Sequence, residues 1–261
     1  MTINSQKISI ITAVYNCGDS IETTIQSVLS QTYPNIEYIV IDGLSTDETP
    51  QIIDRYRDQI TKVVTEADTG IYNALNKGLS HATGDIIGFL HADDFFASDS
   101  VLSLIGNCLE DQELQACFGD LTYVDREDTS KVHRYWKNAA YDVRRFNYGW
   151  MPPHPTCYIR KQVYDQFGGF DESLSFAADY ELLLRLMVKN KISVKHIPEL
   201  LVNMRVGGLS NASWKNRLSA NREDLLAWKK NELRAPFGLR LMKPLRKIGQ
   251  VFFRRRNLAK I

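Results

Sequence analysis

The chain has 261 residues, of which 44% are apolar and 24% charged, with a formal net charge of +1. That length suits one large α/β domain, or one domain with a modest appendage, and the composition excludes disordered and fibrous classes. Cys17, Cys108, Cys117 and Cys157 are scattered without a CxxC pair, which argues against a zinc site or a secreted disulfide scaffold and for a reducing compartment.

TINSQ runs straight into ISIITAV, so no signal peptide is expected ahead of the first strand. Residues 8–14 form a continuous β-branched run, which predicts a buried parallel strand. Asp19 or Ser20 is placed to cap a helix over IETTIQSVLSQ, where Ile21, Ile25, Val28 and Leu29 recur at helical spacing. A second buried strand, 36–41, ends at Asp42-Gly43, and a helix beginning near Asp47 leads to a third strand over 62–66. Helix 71–81 and strand 85–90 follow. Strands alternating with helices imply right-handed βαβ units and a parallel sheet. Neither a dinucleotide-binding glycine fingerprint nor a P-loop follows any of these strands.

In an open parallel sheet, ligands bind beyond the carboxyl ends of the strands. Those ends are Thr12 to Asn16, Asp42, Glu66 to Asp68, and His91 to Asp94. Each delivers polar groups to the same edge. Asp93 and Asp94 are adjacent carboxylates that repel unless a cation or several donors offset them. Oxygen ligands in that position suit Mg²⁺ or Mn²⁺, which keep waters and bridge to a substrate diphosphate. The competing reading is a helix N-cap for the segment near Ser98, although capping needs only one aspartate.

The second half changes character. Residues 116–136 read as paired strands, and 144–156 as an aromatic, proline-rich loop. TCYIRK returns to a strand, AADYELLLRLMVKN is an amphipathic helix with Asp179 near its start, and IPELLVNMRV is a last strand-like segment before a helix over 213–233. From Leu233 to the end there are nine basic residues and no acidic one, leaving 23 basic against 31 acidic residues before it. In this tail Pro244 suits a helix start, Leu245, Ile248 and Phe252 share a stripe, and Arg246, Lys247 and Arg254 to Arg256 supply a polar side. A basic amphipathic helix predicts contact with an anionic membrane surface, and no recognition motif supports nucleic acid as the partner. No apolar run approaches the roughly 20 residues of a spanning helix, so a cytoplasmic protein, peripheral on the inner face of the membrane, is expected.

Several of these segments, SIITAVYN, VIDGLSTDET, EADTGIYNALNKGLSHATGDIIGFLHADD, PPHPTCYIRK, GGFDE and AADYELLLR, resemble the inverting, nucleotide-sugar-dependent glycosyltransferases of family 2, in that family's order. The run D-x-GIY-x-A-x-NKG is similar to that of bacterial enzymes building surface polysaccharides. The resemblance implies a GT-A fold, a Rossmann-like, mostly parallel sheet flanked by helices. It divides residues 1–210 into a nucleotide-sugar half (about 1–97) and an acceptor half (about 98–210), followed by a helical basic extension over 211–261.

Carried over by position, the resemblance puts Thr12, Ala13, Tyr15 and Asn16 under the nucleoside and Asp42 at the base. Asp68, Asn76 and Lys77 would shape the sugar-diphosphate side. Asp93 would hold Mn²⁺ or Mg²⁺, with Asp94 beside the donor. Asp42 also reads as a plain turn residue, and Lys77 as one on a solvated helix face. His91 stands where many relatives carry an acid, so it either binds ribose or packs. Asp179 would be the base that takes the acceptor proton. Ala178 replaces the usual acid before it, so Glu181 is a candidate to share that role. Asp179 otherwise reads as a helix N-cap, Arg185 as structural or phosphate-binding, and His154 as a metal ligand, an acceptor contact or a loop residue without a role.

The implied activity is transfer of a sugar from a nucleotide-diphospho-sugar, UDP-linked, to a lipid-linked saccharide in bacterial polysaccharide or O-antigen synthesis. A sugar-phosphate nucleotidyltransferase has a similar sheet but needs a glycine- and arginine-rich loop after the first strand, which AVYNCGDS lacks. An inactive membrane-associated scaffold is the remaining alternative, motivated by His91 and Ala178.

Overall fold

The computed structural model describes residues 5–207 and 214–239. The sheet runs in the order β3-β2-β1-β4-β8-β6-β9-β5, with β7 paired to β6. Its first half is the expected one: β1 (Ile8–Val14), β2 (Ile36–Asp42), β3 (Lys62–Thr65) and β4 (Ile86–Phe89) are mutually parallel. Helices α1 (Ile21–Leu29), α2 (Thr49–Arg55) and α3 (Ile71–His81) connect them. β1 is buried at every position, because both of its faces are covered. Ile8, Ile10 and Val14 pack with Ile21 and Ile25 of α1, while Ile11 and Ala13 pack with Ala74 and Leu75 of α3. Gly78 allows this second contact, since a Cβ there would collide with Ile11.

The second half mixes strand directions. β5 (Asp94–Phe96) pairs antiparallel with β9 (Val194–Arg205), and β8 (Tyr158–Arg160) lies antiparallel between β4 and β6 (Ala116–Val124). β6 and β9 are parallel to each other. Two antiparallel steps from β4 to β6 restore the first direction, so β6 and β9 also end at the edge where β1 to β4 end. β7 (Val132–Trp136) hairpins back onto β6, as its patterning predicts. Helices α4 (Val101–Cys108) and α5 (Lys161–Phe167) cover opposite faces.

The segment after Ala177 departs from expectation. α6 (Ala178–Leu183) passes into a π-helical stretch over Leu184–Lys189. It is buried on nearly all sides instead of amphipathic: Ala178, Tyr180, Glu181, Leu182, Leu183, Leu184, Leu186 and Met187 are all inside. Its cover is α7 (Trp214–Lys230), whose Ala227 and Trp228, with Leu239 beyond it, belong to the same core cluster as α3 and α6. Residues expected in the helical C-terminal extension, Ala227, Trp228 and Leu239, thus pack into the core of the body. The basic stripe expected beyond Pro244 lies outside the described residues. Among the described residues, no helix is long and apolar enough to cross a membrane.

Candidate active site

The strand ends converge as expected. Beyond β1, the Tyr15 ring is 59% exposed. Asn16 takes a left-handed φ of 50°, which asparagine tolerates. Its N–H donates to Ser45 Oγ at 2.9 Å, and its Oδ1 accepts from the Thr46 N–H at 2.8 Å, so two neighbouring strand-end loops are tied together. Asp42 is buried at the end of β2, where Oδ1 accepts from the Ser45 N–H at 3.1 Å. A Cβ on Gly43 would collide with Asp68 Oδ2 and touch the Tyr15 ring at 3.5 Å. Glycine is required here by close approach, and Tyr15, Gly43 and Asp68 form one wall. Asp68 Oδ1 also accepts from the Gly70 N–H at 2.9 Å, which fixes its carboxylate at the entry to α3.

Asp93 and Asp94 differ sharply. Asp93 is partly open to the edge, while Asp94 is fully buried and begins β5. Neither Asp94 carboxylate oxygen has a hydrogen-bond partner. Burial, then the neighbouring Asp93 charge, holds its carboxyl well above the usual range, with Arg205 opposing. Arg205 ends β9, donates from Nη1 to the Asp93 carbonyl at 2.9 Å, and lies over the Phe95 ring at 5.0 Å. From the β6–β7 loop, Arg126 reaches across to Asp19 Oδ2 at 2.8 Å, and its charge is felt by Cys17 beside β1. Both guanidinium groups lie within electrostatic reach of Asp93. Asp19 serves this bridge and does not cap α1.

Asp179 lies in the first turn of α6, partly exposed, and its Oδ1 accepts from the Tyr180 N–H at 2.7 Å. The cap position belongs to Ala177, so Asp179 is not the N-cap. Burial raises the Tyr123 phenol, with Arg134 opposing and Asp94 and Asp179 adding to the rise, so both carboxylates lie within electrostatic reach of one β6 side chain. The Tyr72 hydroxyl of α3 lies against the backbone N–H groups of Ala178 and Asp179, and Tyr72 stacks on Phe170 at 5.6 Å. The base candidate therefore lies against α3, the helix between β3 and β4.

The geometry meets a known pattern. A family model described as glycosyl transferase family 2 matches residues 9–168. The chain belongs to that family. It is 41% identical over 212 residues to the UDP-Glc:alpha-D-GlcNAc-diphosphoundecaprenol beta-1,3-glucosyltransferase WfaP of Escherichia coli, an alignment covering 80% of this chain and 81% of that one. It is 29% identical over 180 residues to an uncharacterized glycosyltransferase of Mycobacterium tuberculosis, covering 68% of each. In fold it is similar to S. aureus TarS in complex with UDP-GlcNAc, with a TM-score of 0.69 at 20% identity, covering 88% of this chain and 68% of that one. It is also similar to the mannosyltransferase PcManGT of Pyrobaculum calidifontis in complex with GDP-Man and Mn2+, with a TM-score of 0.66 at 20% identity, covering 94% and 70%. The GT-A fold read from the sequence is thereby shown.

In this family 2 chain, several residues expected at the donor or acceptor serve as struts. Thr12 is buried and its hydroxyl accepts from Tyr38 Oη at 3.3 Å, while Ala13 is buried beside it. Asn76 has both ends of its amide bound to Phe170, with Glu172 as a further acceptor at 2.7 Å. Lys77 donates to the Ala67 carbonyl at 2.6 Å and pairs with Glu66 at 2.9 Å. Glu181 is buried, and Arg185 grips both its oxygens at 3.0 and 2.9 Å while also donating to the carbonyls of Phe167, Gly168 and Gly169. Neither Glu181 nor Arg185 is left to act on a ligand.

His154 is buried, stacked on Phe89 at 5.6 Å and edge-on to Phe170 at 5.4 Å. Burial, then the neighbouring His91, pushes its imidazole down to about 3, so it is a neutral ring in an aromatic box. His91 packs beside it at 6.3 Å, lowered by burial and raised by Asp93. Tyr72, Arg126 and Arg205 were not singled out in the sequence. Arg205 follows the strand-end rule once β9 is known to run parallel with β6.

Among the described residues, no group of three or more His, Cys, Asp or Glu side chains gathers to hold a metal ion. What stands at the edge is Asp93 with the partnerless carboxylate of Asp94 behind it. That pair fits an ion that takes most of its ligands from water and a diphosphate, as Mg²⁺ and Mn²⁺ do. It does not fit a closed protein cage.

Proposed function

We propose that this glycosyltransferase is inverting and moves a sugar from a UDP-linked donor to a lipid-linked saccharide at the cytoplasmic face of the membrane. What supports the reading is a donor edge of Tyr15, Asn16, Asp42, Asp68 and Asp93 together with a further carboxylate, Asp179, from the other half of the chain, which shares electrostatic reach of Tyr123 with Asp94. Tyr15 and the Asn16 turn cover the nucleoside, and Asp42 meets the base. Asp68 faces the sugar. Asp93, with Asp94 behind it, would hold Mg²⁺ or Mn²⁺, which when bound neutralises charge on the leaving diphosphate. Arg205 and Arg126 add positive charge at the same place. Asp179 takes the proton of the acceptor hydroxyl as it attacks the anomeric carbon from the side opposite the diphosphate.

The names of relatives support the donor and acceptor classes: WfaP is named for UDP-Glc and a diphosphoundecaprenol-linked sugar, and one TarS complex holds UDP-GlcNAc. The membrane assignment rests on the basic residues after Leu239. A thermal-shift screen of UDP-, dTDP- and GDP-sugars with Mn²⁺, followed by donor hydrolysis, tests the enzyme reading, because a bound ligand raises the melting temperature. Equal background hydrolysis by wild type and Asp93→Ala with every donor would refute it. For the membrane, a chain ending at Leu239 keeps the buried core residue and should lose binding to anionic liposomes. Unchanged binding refutes that part alone.

A further inference from the structure

One side chain of α7, Glu223, binds the backbone just ahead of the helix that carries Asp179. Glu223 Oε1 accepts from the Ser175 N–H at 3.1 Å, and Oε2 accepts from the N–H groups of Phe176 and Ala177 at 2.7 and 2.9 Å. Three consecutive backbone donors just before α6 thus converge on a single carboxylate from a helix 46 to 48 residues away. Such charge-assisted bonds are short and direction-specific. Ala177, at the cap position, has no side chain that could supply them.

α7 and the residue after it reach further around this region: Trp228 Nε1 donates to Tyr180 Oη at 2.9 Å, Asn231 Nδ2 donates to Glu181 Oε1 at 3.0 Å, and Lys230 pairs with Asp171 in the preceding loop at 2.6 Å. On the other side, Tyr72 of α3 lies against the Ala178 and Asp179 N–H groups. Asp179 therefore sits on a short helix whose entry is held from α3 by a phenol and from α7 by a carboxylate.

We propose that Glu223 is a positioning residue for glycosyl transfer: by binding the 175–177 backbone it sets the angle at which Asp179 meets the nucleophile. This rests on the assignment of Asp179 as the base. Sub-ångström displacement of a base is costly to rate and has little effect on ligands held elsewhere. Donor binding is assigned to the strand ends at Tyr15, Asn16, Asp42, Asp68 and Asp93, so Glu223 should act on turnover and leave donor affinity unchanged.

The test is a double-mutant cycle read as UDP release from whichever of UDP-glucose and UDP-GlcNAc gives the larger thermal shift with Mn²⁺. Rates are normalised to donor-binding sites counted by calorimetry, which removes any unfolded fraction. Glu223→Ala is expected to lower turnover per site roughly tenfold or more, and Glu223→Gln, which keeps one acceptor oxygen, to lose less, with donor affinity within about twofold in both. In an Asp179→Asn background, Glu223→Ala should cause no further loss, because groups acting through one another are not additive. Wild-type turnover per site for Glu223→Ala, or an equal fold loss in both backgrounds, would overturn the proposal. An Asp179→Asn variant as fast as wild type would instead overturn the base assignment, whatever Glu223 does.

Discussion

Asn76 and Phe170 are joined by reciprocal hydrogen bonds: Asn76 Nδ2 donates to the Phe170 carbonyl at 2.9 Å, and the Phe170 N–H donates to Asn76 Oδ1 at 2.8 Å. An amide side chain on α3 thereby treats a loop 94 residues away as a sheet neighbour would. Through this pair α3, the helix between β3 and β4, positions the loop leading to Asp179. Asn76→Ala leaves both Phe170 groups without their partner and is expected to cost about 1–3 kcal/mol in chemical unfolding. Asn76→Asp should cost more, because a carboxylate would face the Phe170 carbonyl and the Glu172 carboxylate. If both variants unfolded at the wild-type midpoint, the strut role would be wrong.

The imidazole of His154 gives the protein an acid-sensitive core. Its value falls from 6.5 to about 3 on folding, so between those limits the unfolded chain binds more protons than the folded one. Stability is therefore present above the higher value and is lost as pH falls toward the lower. Between about pH 7.5 and pH 5 the loss should reach about 2 kcal/mol from this residue. His154→Phe keeps a ring beside Phe89 and Phe170 and should flatten that part of the pH dependence. Urea unfolding at the two pH values checks it, and an unchanged slope in the variant would contradict the buried neutral ring.

Glu181 and Arg185 form an ion pair whose side chains are 5% and 18% exposed. Removing one partner leaves an uncompensated charge inside, so Arg185→Met is expected to destabilise by about 3–5 kcal/mol. Donor affinity of the folded fraction should be unchanged, since the guanidinium is used on Glu181 and three backbone carbonyls. Loss of UDP-sugar binding without loss of stability would restore a phosphate-binding role for Arg185.

Much of the donor half was legible because its strands are buried on both faces and so read as unbroken apolar runs, with acids at their ends. The later strands are less visible. β5 has three residues and exists only through pairing with β9, which no local pattern encodes, whereas β8, equally short, was legible in TCYIRK. Polar residues at the right place were harder to sort. Asn76 and Glu181 carry the residue types that a ligand site needs, yet Asn76 finds its partner 94 residues away, and Glu181 adds Asn231, 50 residues away, to its local pair with Arg185. Glu223 was invisible for the same reason: on a helix of polar composition, nothing in its neighbours singles it out.

In the proposed function, donor binding lies at the strand ends around Asp93 and proton transfer at Asp179. The direct test compares Asp179→Asn with wild type for UDP-sugar affinity by calorimetry and for UDP release in the presence of Mn²⁺. The expected result is donor affinity within about twofold of wild type together with turnover reduced by roughly 10²–10⁴-fold, the usual contribution of a positioned base. Turnover near wild type in Asp179→Asn would contradict the account.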